Sequence, residues 1–339
     1  MKALKFAALV IIIAGIAVLG AGGALWYFNE PPAAPGEEEF FRISRGENLT
    51  RIARGLEAHG FIRSARAMEY YSRFKGTAGL MKTGYYRIAP GSTMSEIHNL
   101  LLSGQQVLYR VTIPEGWTIR QIARILEEKG ITGAEDFIAA AEDGKRLVPY
   151  GFDVDTAEGF LYPDTYSFPL DFPAGKVVDT MVETFFQVLE EVEPEYGKMT
   201  GGELYDKIIL SSIVEREYRV ADEAPMIASV FYNRLETDMS LGSCATIVYI
   251  ITDIEGKPHP ESLLYSDLEI PSDYNTYIHT GLPPAPISNP GLTALDAAFH
   301  PAKSDYFYFL LQDADAGRHF FSRTYGEHNQ AYTLYIKKR

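Results

Sequence analysis

Apolar and polar positions alternate along this chain in a phrase that returns three times. From Ile43 to Leu56 the order is a strand end, a turn at Gly46, a polar Asn48, then apolar residues at Leu49, Ile52 and Leu56. Spacings of three and four put those side chains on one face of a helix. The same phrase runs from Ile113 to Leu126 around Gly116, and more loosely from Ile88 to Leu101 around Gly91. A strand–turn–helix of this size cannot bury its own apolar face, so the copies are expected to pack together. They predict a small α+β subdomain over residues 40–132.

Residues 133–205 follow a helical pattern, interrupted between Glu158 and Tyr166, where Gly159 and Pro163 demand a turn. The next apolar run, Ile208–Leu235, reads as two helices broken at Val220-Ala221-Asp222, with Asp222 expected to cap the second. Residues 240–300 are dense in Pro, Gly, Asn and Thr and read as long loops. Tyr306–Leu311 and His319–Ser322 read as strands on either side of a turn. The fold class expected is therefore α+β, with a larger mixed α/β domain over residues 133–339.

The N-terminus changes the picture. Phe6 to Phe28 carries no charge, about 23 residues, long enough for a helix to cross a ~30 Å hydrocarbon layer. Lys2 and Lys5 precede the run, while Trp26, Tyr27 and then Glu30, Glu37, Glu38 and Glu39 follow it. Positive-inside asymmetry and the aromatic end predict a transmembrane anchor within residues 1–28, an inside N-terminus and an extracytoplasmic bulk. The apolar run is longer than the core of a cleaved signal peptide. Pro31-Pro32-Ala33-Ala34-Pro35-Gly36 and the glutamates after it make a stiff, solvated spacer over 29–39.

Net charge is −14, which excludes the basic surface that nucleic-acid binding needs. The single cysteine, Cys244, excludes an internal disulfide. It has no nucleophile signature around it and reads as a small buried residue. His300, His319 and His328, with Asp305, Asp313 and Asp315, match no short metal-ligand spacing. No metal and no cofactor are expected.

Two carboxylates stand inside the apolar run, Glu215 and Glu217. Residues two apart on a helix point to nearly opposite sides. Leu210, Ile213 and Val214 define the apolar face, and position 217 continues it; Glu215 falls on the wetter side with Arg216 and Arg219. A carboxyl held against apolar neighbours resists ionisation, so its pKa rises toward the range of a general acid. A buried carboxylate paired with an arginine would give the same pattern. Downstream, Tyr274-Asn275-Thr276-Tyr277, Thr280–Pro284 and Ser288–Gly291 supply aromatic faces and amides suited to carbohydrate, though ordinary turn chemistry uses the same residues.

The repeat resembles LysM-like modules, which bind glycans. Over nearly all of the chain beyond the anchor the sequence resembles the endolytic murein transglycosylases, the MltG or YceG-like family. The likeness is carried by Val111–Trp117, Glu158–Tyr166, Ser212–Glu217, Ala228–Leu235, Tyr274–Tyr277, Gly281–Pro284, Asn289–Gly291, His300–Lys303 and His328-Asn329. It implies that Glu217 is the catalytic acid, and that Tyr274, Asn275, Thr276, Tyr277, Asn289 and Thr246 contact substrate. It implies cleavage of the β-1,4 bond between N-acetylmuramic acid and N-acetylglucosamine, with the muramyl 6-hydroxyl closing on C1 to leave a 1,6-anhydro end. The implied partners are peptidoglycan glycan strands, then the synthesis machinery and the membrane. Two departures stand out: Tyr218 replaces a small hydroxyl residue, and Gly242 stands where the family has glutamine. A non-catalytic wall-binding scaffold and a metal-dependent wall hydrolase are the rival readings.

Overall fold

A computed structural model describes residues 20, 22–24, 26–32, 39–44, 46–104 and 108–337. Most of the predicted anchor and most of the spacer lie outside the described residues. No described helix is long and apolar enough to cross a membrane.

The chain forms two compact units that divide between Leu108 and Tyr109. The first holds β1 (Glu39–Ile43), α1 (Leu49–Ala58), α2 (Ala65–Phe74), β2 (Gly84–Ile88) and α3 (Met94–Ser103). Strands β1 and β2 pair antiparallel, with Phe41 opposite Tyr86. Phe41, Ile52, Leu56, Met68, Tyr86 and Ile97 meet in one core. Helix α1 starts where the Asn48 side chain accepts from Arg51 N at 2.9 Å; α3 starts with a Thr93–Glu96 capping box. Such side-chain acceptors satisfy amides that a first turn leaves unpaired.

The repeat was expected to keep its three copies in one subdomain ending at 132. Copies one and two do pack together. The third, β3 (Tyr109–Thr112) and α4 (Ile119–Glu128), belongs to the second unit, where β3 pairs antiparallel with β4 (Thr165–Phe168). The local phrase is kept in all three: Gly46, Gly91 and Gly116 have φ of 83°, 78° and 72°, a left-handed turn that glycine adopts at little cost. Which strand each copy pairs with is a tertiary choice that the repeat does not encode.

The second unit continues with α5 (Ala134–Ala141), α6 (Ala174–Val192), α7 (Gly201–Glu217), α8 (Ala224–Glu236), α9 (Cys244–Tyr249), α10 (Leu292–Phe299), β5 (Tyr308–Asp313), β6 (Arg318–Ser322) and α11 (Tyr325–Tyr335). Helix α7 is central. Residues 208–214 are buried without a break, and Ile209, Ile213 and Val214 pack with Ile227 and Phe231 of α8 and Ala294 and Ala297 of α10. The break between α7 and α8 falls where expected, but Asp222 does not cap α8. It pairs with Arg318 at 2.8 Å, while a 3₁₀ turn, Ala221–Glu223, leads into the helix.

Candidate active site

Glu217 is the last residue of α7. Residues 208–214 of the helix are buried and the chain turns away at Tyr218, which leaves Glu217 half-buried at the helix end. Its Oε1 accepts a short hydrogen bond from the Ser243 hydroxyl. Ser243 is the N-cap of α9, its Oγ also accepting from Ala245 N at 3.2 Å. Among the described residues no ion pair joins Glu217 to an arginine. Burial raises the pKa of Glu217; the Ser243 hydroxyl, the Ala245 amide and the charges of His319 and Arg216 pull the other way. The net direction is upward, so this carboxyl holds a proton more readily than an exposed glutamate.

The loop 241–246 that presents Ser243 is itself pinned. Ser243 N donates to Thr276 Oγ1 at 3.0 Å, Gly242 N donates to Thr276 O at 2.9 Å, and the Thr246 and Thr276 hydroxyls meet at 2.9 Å. Asn275 closes its own loop: its amide nitrogen donates to Leu268 O and Ile270 O, and its oxygen accepts from Tyr277 N. Thr246, Asn275 and Thr276 are buried, so in this arrangement they hold the frame and present no polar atom to a groove. Tyr277 does reach the site. Its hydroxyl lies 3.0 Å from the Cys244 sulfur, and Glu217 and the cation of Arg234 act on it through space. Cys244, expected to be buried, is exposed, because it occupies the first turn of α9 on the outward side. Tyr274 packs against Tyr249, ring centroids 5.2 Å apart.

Asn289 sits in a second polar cluster. Its side-chain oxygen accepts from Gly159 N and Leu161 N, and its nitrogen donates to Trp117 O and to Glu158 Oε1 at 2.7 Å. Glu158 also accepts from Ile119 N at 3.0 Å, at the start of α4. This knot ties together the loops around 117, 159 and 289, and both of its side chains are buried. Burial pushes Glu158 up to about 8, against the pull of Ile119 N and Asn289.

Glu215 was expected on the wet side of α7. Instead it is covered: its Oε2 accepts from Gly291 N at 2.9 Å, and its Cγ lies beside Gly116. Burial and the nearby Glu115 raise its pKa to about 7. The loops that cover it come from distant sequence, which a helical wheel cannot anticipate. Arg216 lies between Asp253, Glu158, Glu217 and Glu215, whose charges offset the burial that lowers its pKa.

The three C-terminal histidines do not converge. His300 contacts Asp296 at 3.0 Å, His328 packs on Tyr308, and His319 Nδ1 lies 2.8 Å from Glu223 Oε2. His319 and Ser243 were both missed as neighbours of Glu217. Ser243 carried a readable signal, a serine directly before a helical run; His319 carried none, since a hairpin brings it back from 102 positions downstream.

Glu217, Ser243, Tyr277, Cys244, Arg216 and His319 therefore gather around one half-buried carboxyl whose affinity for a proton is raised. Known proteins resemble the chain over most of its length. The YceG-like family profile matches residues 41–333. A Bacillus subtilis protein named endolytic murein transglycosylase is 32% identical over 88% of this chain and 84% of its own length. A Streptococcus pneumoniae protein of the same name is 27% identical over 88% of this chain, which spans 58% of that longer protein. The crystal structure of a YceG-like protein from Listeria monocytogenes superposes with a TM-score of 0.57 at 31% identity, covering 88% of this chain and 99% of that one. The chain belongs to the YceG-like family.

Proposed function

We propose that this protein is a lytic transglycosylase of peptidoglycan, anchored in the cytoplasmic membrane by residues 1–28 with its second unit outside the cell's inner barrier, and that Glu217 is its catalytic acid and base. The observation that carries the reading is the setting of Glu217: a half-buried carboxyl at a helix end, its pKa raised by burial, hydrogen-bonded to the Ser243 hydroxyl and joined to no arginine by an ion pair among the described residues. The names of the relatives support the substrate class.

A glycosidase that uses water needs two carboxyl groups, one as acid and one as base or nucleophile. A lone carboxyl suffices when the nucleophile is already part of the substrate. Glu217 protonates the bridging oxygen as the bond to muramyl C1 breaks. The resulting carboxylate then takes the proton of the muramyl 6-hydroxyl as that oxygen bonds to C1. The intramolecular attack supplies a high effective concentration without a positioned water. Tyr277, next to the carboxyl, is placed to orient a sugar hydroxyl, while Asn275, Thr276 and Thr246 hold the loop beneath it. The site's products would end glycan strands as they leave the synthesis machinery near the membrane.

The test is mass spectrometry of products from defined glycan strands. Internal cuts that leave 1,6-anhydro ends, one water lighter than hydrolytic ends, support the reading. Reducing ends, or cleaved peptide stems, would reject it.

A further inference from the structure

The first unit carries an aromatic face that neither its core nor the Glu217 site uses. On α2 the core takes Ala65, Met68 and Ser72. The outward ridge, at i, i+4 spacing, is Arg66, Tyr70 and Phe74. Tyr70 is 70% exposed and Phe74 90%. Trp26, 69% exposed, stands beside them, and together with Tyr71 and Lys75 they line a cleft of about 640 Å³. Single exposed apolar residues are ordinary; a cluster of large aromatic side chains rimmed by cations is a binding surface.

Residues 26–31 fix where that surface faces. The Asn29 side-chain oxygen accepts from Ser95 N at 2.9 Å, in the first turn of α3. Arg63 donates to Pro31 O at 3.0 and 2.8 Å and to Tyr27 O at 3.3 Å. Its guanidinium lies 4.6 Å from the centre of the Tyr27 ring. The end of the apolar run is thus clamped to the unit, directly beside the aromatic face. Charge points the same way. Between Phe61 and Lys82, Arg63, Arg66, Arg73, Lys75 and Lys82 face a single acidic residue, Glu69, in a chain of net charge −14.

We infer that Trp26, Tyr70 and Phe74 sit in the headgroup layer of the bilayer from which the anchor emerges, with Arg66 and Lys75 on its anionic phospholipids. Aromatic rings favour that layer, and long cationic side chains extend along it with their charge in water. The unit is then held flat on the membrane surface. This rests on the proposed anchor, and the experiment separates the two.

The full chain, carrying Trp26→Phe and Trp117→Phe, is reconstituted into phosphatidylcholine–phosphatidylglycerol vesicles with and without Phe74→Trp. Flotation after an alkaline carbonate wash reports the anchor alone. Lipids brominated at shallow or deep acyl positions report the depth of the new indole. The expected result is a chain that floats, with the indole from Phe74→Trp quenched at least twofold more by shallow than by deep bromine, and with less quenching at high salt or without phosphatidylglycerol. A floating chain whose indole is unquenched overturns the inference and leaves the anchor standing. So does an indole shielded by added glycan strands and not by lipid, which would make the face a sugar platform. A chain that does not float overturns both.

Discussion

Two carboxyls in the second unit, Glu217 and Glu158, are both raised by burial and both held by neutral donors, yet they are built for different work. Glu158 accepts from Ile119 N and Asn289, is 4% exposed, and fastens three loops. Glu217 takes the Ser243 hydroxyl and feels the Ala245 amide at a half-buried helix end. A raised pKa therefore does not by itself mark a catalyst. What separates the two is commitment: both oxygens of Glu158 are taken up by loops that they fasten, whereas Glu217 stands half-buried at a helix end with Ser243 on one oxygen.

The comparison breaks most directly at Glu217. Glu217→Gln keeps the side chain's shape and removes the transferable proton, so cleavage of glycan strands should fall by about 10²–10⁴-fold while the melting temperature barely moves. Product analysis beside thermal unfolding checks both halves; a variant that still cuts at the parent rate ends the assignment. Glu158→Ala should do the reverse. It leaves Ile119 N and the Asn289 amide without an acceptor in the interior, at about 1–3 kcal/mol each. Denaturant unfolding should therefore show a loss of about 2–5 kcal/mol, with cleavage per folded molecule largely kept.

Smaller effects sharpen the picture. Ser243→Ala removes a hydrogen bond that lowers the Glu217 pKa. Loss of one such bond should cost about tenfold in rate, and the alkaline limb of the pH–rate profile should move to higher pH, because the acid keeps its proton longer. A purely structural role for Ser243 would leave the limb in place. Glu158 binds its proton up to about pH 8 in the fold, against 4.5 when unfolded. The native state thus carries the extra proton through that window, and stability falls as pH rises across it. Glu158→Gln should flatten that slope in melts from pH 5 to 8. Least of all, Gly242→Gln introduces the side chain that the family resemblance implies at this position. A Cβ there would lie 3.5 Å from Arg234 and 3.7 Å from Tyr277, so there is space. The φ of 57° is left-handed, however, and costs a non-glycine residue about 1–2 kcal/mol, readable as a small drop in melting temperature.

Much of this was legible beforehand. The α7–α8 break and the β5–β6 hairpin followed from spacing, because helix faces and strand alternation are local properties. The failures share one cause. Glu215 was placed in water because the wheel of α7 cannot see the loops bearing Gly116 and Gly291. Asn275, Thr246 and Asn289 were singled out as polar loop residues of the right chemistry, yet each spends its polar atoms on the loops.

The amino-acid sequence by itself determined the threefold strand–turn–helix phrase, the break between α7 and α8, the β5–β6 hairpin and the apolar run at residues 6–28, and it singled out Glu217 as a candidate. Those depend on residues within a turn or two of one another. The fold alone decided which copy of the phrase pairs with which strand, that loops bearing Gly116 and Gly291 cover Glu215, and that His319 and Ser243 come to Glu217. Such choices are made by contacts between residues far apart in the chain, and no local pattern carries them.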